Sequence, residues 1–94
     1  MKIIIESDSS DLKNYLQVSV LEDILCELQS ARRWNISLNS VHEAYAVILE
    51  ELDEFWEEVR KKSENREKEL MYKELVQVAA MCLRAIHDLS LRGK

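Results

Sequence analysis

The sequence predicts an all-α fold, and three observations carry that expectation. The chain of 94 residues has no proline and a single glycine, Gly93. Small β-sandwiches and barrels need glycine-bearing turns, and phosphate-cradling loops need several glycines, so both are excluded. Two serine–glutamate capping boxes precede long stretches of helical apolar periodicity. The composition, 47% hydrophobic and 33% charged, is that of a globular chain rather than a disordered one.

The N-terminal segment, residues 1–18, gives mixed signals. Lys2–Glu6 and Tyr15–Val18 have the composition of short strands, while Asp11 suits the cap of an early helical turn. The signals sharpen at Ser19-Val20-Leu21-Glu22, a capping box that opens a first helix. That helix carries Leu21, Ile24, Leu25, Leu28 and Ala31 on one face and runs to about Trp34. Asn35–Asn39 is a polar connection with Ile36 and Leu38 turned inward. Ser40-Val41-His42-Glu43 is the second box and starts a helix reaching about Lys62. After a turn at Ser63–Asn65, a third helix runs from about Arg66 to Leu91 and stops at Gly93. Short connections make successive helices antiparallel neighbours within one domain, 1–94.

Charge and cysteine content narrow the setting. With 18 acids against 13 bases the net charge is -5, which disfavours tracking the phosphates of a nucleic-acid polymer. The opening Met-Lys-Ile-Ile-Ile-Glu is too short in apolar residues for a secretory leader, and no apolar run suits a membrane span. Cys26 and Cys82 fall inside apolar helical patterns at no metal or redox spacing, which reads as two buried free thiols. A cytoplasmic location is expected.

On the second helix, Val41, Tyr45, Ile48, Leu49, Leu52, Phe55, Trp56 and Val59 form an apolar stripe expected to be core. Opposite lie Glu43, Glu50 and Glu54, flanked by Glu51 and Glu58. No lysine or arginine occurs between Arg33 and Arg60. Glu50–Glu54 and Glu54–Glu58 therefore repel at i, i+4, at a few tenths of a kcal/mol each. A solvated face and a site for a hard divalent cation, which takes oxygen ligands, both remain open.

The third helix is apolar nearly all round from Leu75 to Ile86, interrupted by Gln77 and Arg84. Glu74, Gln77, Arg84 and Asp88 share a seam about 80° wide. That seam is either a buried polar contact between helices or the second half of a cation site. A three-helix monomer cannot cover so apolar a helix, so a homodimer or homotetramer with a four-helix-type bundle core is expected.

Glu50-Glu51-Leu52-Asp53-Glu54, nineteen further residues, then Glu74-Leu75-Val76-Gln77 resembles the signature of the MazG-like all-α nucleoside triphosphate pyrophosphohydrolases. That signature pairs a Glu-Glu-x-x-Glu helix with a Glu-x-x-Asp helix, and the likeness covers residues 20–90. It implies that Glu50, Glu51, Glu54 and Glu74 hold magnesium, or manganese, and that Glu54 is the general base. The implied reaction converts a nucleoside triphosphate into the monophosphate and pyrophosphate. Gln77 stands where the pattern has aspartate. It can offer a metal a neutral carbonyl oxygen, or act behind the ligands, but it cannot be a carboxylate base. The alternative is a non-catalytic nucleotide- or cation-binding protein, or a helical assembly protein, with the same fold.

Four further residues have a substrate-binding reading beside a structural one. Trp34 either stacks on a base or closes the end of the bundle. His42 is a phosphate or base contact, or a loop contact; it lacks the second histidine of a zinc-protease motif. Lys61 is a triphosphate contact or the i, i+3 and i, i+4 partner of Glu58 and Glu57. Arg84 is a phosphate contact or a buried ion-pair partner. His87, late in the third helix, reads as structural.

Overall fold

A computed structural model describes residue 4 and residues 17–34 and 37–93, the side chains of Arg32, Arg33 and Trp34 excepted. The strand and cap alternatives for the first sixteen residues, and the inward placement of Ile36, fall outside these residues. The fold is all-α: α1 (Val18–Trp34), α2 (Val41–Val59), a 3-10 turn (Ser63–Asn65) and α3 (Lys68–Asp88), with no strand among the described residues.

The helix ends follow from local chemistry, with some departures from expectation. α1 begins ahead of its capping box. The Gln17 carbonyl accepts from the Val20 and Leu21 amides, so Ser19 lies inside the first turn. The second box forms: Ser40 is extended and its Oγ accepts from the Glu43 amide at 3.0 Å. Glu43 reaches back one residue further than the motif requires, accepting from the Asn39 amide at 3.3 Å. α2 stops at Val59, short of Lys62, where Arg66 Nε donates to the Val59 carbonyl at 2.8 Å and satisfies a terminal acceptor. α3 ends three residues before Leu91. Ser90 takes a left-handed conformation (φ 53°), with the Leu91 amide donating to Ile86 and the Ser90 amide to His87. That is a Schellman ending, so the stop falls at Ser90 and Gly93 merely follows it.

α3 is the helix on which both others pack. At one end of the antiparallel α2–α3 pair, Asp88 Oδ2 accepts from the Leu38 amide at 3.0 Å and lies 3.5 Å from Arg84 Nε. Beside this clasp sits a small core of Leu38, Ala44 and Ala85, backed by Val47, Ile48 and Leu89. At the other end the buried Glu58 accepts from the Glu67 amide at 2.9 Å and from Lys61 Nζ at 2.8 Å. The hydrogen bonds from Lys61 and the Glu67 amide hold the Glu58 carboxyl below its usual range. Tyr72 donates to Asp23, tying α3 to α1.

Three expectations about burial change. On α2 only Ala44, Val47, Ile48, Phe55 and Val59 turn toward α3, and Val41, Tyr45, Leu49, Leu52 and Trp56 are exposed. The reason is rotational: α3 meets one edge of the apolar sector, where Glu51 and Glu58 also lie. On α3, Val76, Ala80 and Met81 are buried within the chain, so the helix expected to carry the subunit contact is largely used up internally. Cys26 is exposed, on the edge of α1 away from α3, and Cys82 is half-buried, with neither in a disulfide. No helix among the described residues is long and apolar enough to cross a membrane.

The Asp88 clasp generates a stability prediction. Asp88→Ala leaves the Leu38 amide without its acceptor and the buried Arg84 without this carboxylate, and should lower urea-unfolding stability by about 2–4 kcal/mol. Asp88→Asn keeps an acceptor for Leu38 and should cost less.

Candidate cation site

The antiparallel pairing brings the two acidic motifs together. Glu51 and Glu54 lie one turn apart on α2, and Glu74 and Gln77 one turn apart on the facing side of α3. One carboxylate oxygen from each of Glu51, Glu54 and Glu74 falls within 4.8 Å of the other two. Glu51 and Glu74 are half-buried, and Glu54 is exposed. Gln77 completes the cluster: oriented to satisfy its amide, its nitrogen donates to Glu51 Oε2 at 2.9 Å and Glu74 Oε2 at 3.1 Å.

Crowding acids at a partly dry contact raises their affinity for protons. Burial first, then the charges of Glu54, Glu74 and Glu50 and a hydrogen bond with Glu54, push the Glu51 carboxyl up to about 7. Glu74 is raised as well, by burial, by a hydrogen bond with Glu54 and by its charge, with Lys73 opposing. Glu54 thus shares hydrogen bonds with both neighbours. Near neutral pH, Glu51 in the apo cluster is therefore divided between its protonated and ionised forms.

The donor set fits a hard cation. Bonds of about 2.0–2.1 Å to octahedral magnesium place ligand oxygens about 3 Å apart when adjacent and about 4.2 Å apart when opposite. Three oxygens within 4.8 Å need only a small contraction to meet that geometry. Glu54 leads outward to an open hollow of about 380 Å³ bordered by Leu49, Glu50, Asp53 and Glu57.

The remaining candidates do not converge here. Glu50 is exposed on the rim of the hollow and outside the trio; it acts on Glu51 through its charge. His42 is exposed in the first turn of α2, about 13 Å along the helix from Glu51. Lys61 is held by Glu58 at the C-terminal end of α2. Arg84 is buried against Asp88, about 10 Å along α3 from Gln77. The Trp34 side chain lies outside the described residues. Lys73, one residue before Glu74, is the base whose charge opposes the upward shift of that carboxyl. Set against protein-family models, curated proteins and solved structures, the chain matches none. The MazG-like resemblance rests on the residues of the two acidic motifs.

A pH dependence follows. Because the folded-state value for Glu51 lies above its ordinary 4.5, its contribution to stability is fully present below about 4.5 and is lost as pH rises through about 7. Glu74 shifts in the same direction. The melting temperature in chelator should fall between pH 5 and pH 8, by about a few degrees for a chain of this size. Glu51→Gln should melt higher at pH 8 and flatten the profile.

Proposed function

We propose that the chain is a divalent-cation-dependent nucleoside triphosphate pyrophosphohydrolase of the MazG-like type. The observation that supports this reading most is the convergence of Glu51, Glu54 and Glu74 from two helices, in the arrangement the paired acidic motifs imply. Glu51, Glu54 and Glu74 would hold magnesium or manganese, with Glu50 adding charge from the rim. When bound, the cation neutralises phosphate oxygens and lowers the pKa of water. Glu54, the most accessible of the three, takes the proton of the attacking water. The water oxygen bonds to phosphorus, the bridge between the α- and β-phosphates breaks, and monophosphate and pyrophosphate leave. His42, Lys61 and Arg84 have no part in this reading, since they lie along the helices from the cluster or are held by other partners.

A second reading, a non-catalytic cation or nucleotide binder, is favoured by one feature. Gln77 already ties Glu51 to Glu74 with neutral donors, so the cluster holds together without turnover chemistry. In either reading, the three helices would complete a four-helix-type bundle by self-association. The small internal core supports this, because six apolar residues are all that the described chain fully buries.

Two measurements separate the readings. Millimolar magnesium should raise the melting temperature, by an amount equivalent to about 2.7 kcal/mol at a hundredfold excess over Kd. Glu54→Gln and Glu74→Gln should each lose most of that rise while melting as high or higher in chelator. Incubation with a panel of nucleoside triphosphates should yield monophosphate and pyrophosphate; a magnesium shift without products would select the second reading, and neither would leave only a solvated acidic face.

The glutamine gives a separate prediction. Gln77→Asp replaces two donated hydrogen bonds by a fourth negative charge among raised carboxyls. Its melting temperature in chelator should drop, by about 1–3 kcal/mol in stability, with a larger magnesium-induced rise and no gain in turnover. A faster enzyme would show instead that the amide weakens an otherwise intact catalytic site.

A further inference from the structure

Among the described residues, α2 carries a run of exposed large apolar side chains. Val41, Tyr45, Leu49, Leu52 and Trp56 lie within about 80° around that helix. All five are exposed, Tyr45 to 68% and Trp56 to 55%. Together these five residues present on the order of 500 Å² of largely apolar surface, within the range of the largest patches on ordinary monomers and close to the apolar share of a standard interface of about 800 Å² per partner.

The pattern of the stripe names its occupant. Turned end for end about a point between Ile48 and Leu49, the stripe falls on itself: Val41 lies opposite Trp56, Tyr45 opposite Leu52, and Leu49 beside its own mate next to the axis. A small side chain thus faces the largest one, as an isologous two-fold contact requires. Charge fixes the direction. Six of the seven acids of α2 lie between Glu50 and Glu58, leaving Glu43 in the first half. Parallel packing would set the acid-rich halves side by side. Antiparallel packing sets each against the other copy's N-terminal half, which carries His42, and also opposes the helix dipoles.

We infer that α2 is a homodimer interface in which two copies of this chain pack antiparallel about a two-fold axis beside Leu49. This rests on the self-association reading and moves the contact from α3 to α2. It is centred on the side of α2 opposite Glu54 and meets the hollow beside the cation site only at Leu49.

Light scattering at micromolar concentration, with circular dichroism as the folding check, tests this on the full chain. Wild type should have the mass of a dimer, Leu52→Lys half that mass with unchanged helicity, and Leu83→Lys, in the groove between α1 and α3, the mass of wild type. Cross-linking tests the direction without relying on Leu52. In a Cys26→Ser, Cys82→Ser background, Leu49→Cys should form an intermolecular disulfide on mild oxidation. Val41→Cys should not, because its mate would be about 22 Å away and a disulfide needs Cα atoms within about 7 Å. A monomeric wild type would overturn self-association and the interface together. A dimer that survives Leu52→Lys, or one that cross-links through Val41→Cys as readily as through Leu49→Cys, would overturn the interface alone.

Discussion

Two carboxylates taken out of water, Asp88 and Glu58, hold the α2–α3 pair at its two ends, and the rest of the structure depends on the register they fix. Asp88 binds the chain entering α2, and Glu58 binds the chain entering α3. Each accepts a backbone amide from the opposite side of the connection, so sliding one helix by a turn would break both. Apolar packing between them is thin and built of small residues, Ala44 against Ala85. Shape alone would specify the register poorly; directional hydrogen bonds to charged acceptors specify it well.

The acidic cluster is a consequence of that register. Charge does not draw Glu51, Glu54 and Glu74 together: burial and the neighbouring carboxylates raise the proton affinity of Glu51 and Glu74. They converge because the ends of the pair are pinned, with Gln77 softening the contact through its amide protons. The result is stored electrostatic repulsion at a defined place. A proton relieves part of it, and a divalent cation would relieve more. Placing unfavourable charge inside a scaffold clamped elsewhere is how a helical pair prepares a ligand position instead of collapsing it.

Much of this was readable from the chain. Helix class followed from the lack of glycine and proline, and the Ser40–Glu43 box marked the start of α2 because its chemistry is local. The meeting of Glu51, Glu54 and Glu74 was implied by the resemblance of the two acidic motifs, which also included Glu50, left by the structure on the rim. What escaped was rotational phase. A wide apolar sector on α2 shows that the helix has something to cover, yet not which edge α3 takes. Trp56 reads as core and Glu58 as the edge of the acidic face, yet in the structure Trp56 is exposed and Glu58 buried. Of the two readings of Arg84, the structure supports the buried ion pair. Its partner Asp88 stood one turn away on the same helix, but only the Leu38 amide, fifty residues distant in sequence, shows why that pair is buried. Long-range polar contacts leave no periodic trace.

The position of α3 as the shared partner of α1 and α2 has a consequence for synthesis. The chain is made from its N-terminus, so α1 and α2 emerge before the surface they pack on exists. Helices of 17 and 19 residues are marginal alone in water. Neither can be stabilised by the other to any extent, because their contacts run through the third. Until α3 has left the ribosome, the nascent chain exposes two amphipathic segments with their apolar residues unprotected, open to chaperone capture or to meeting another nascent copy. Folding then becomes a single late event, and truncation anywhere within α3 would remove the fold as a whole instead of trimming one helix from it.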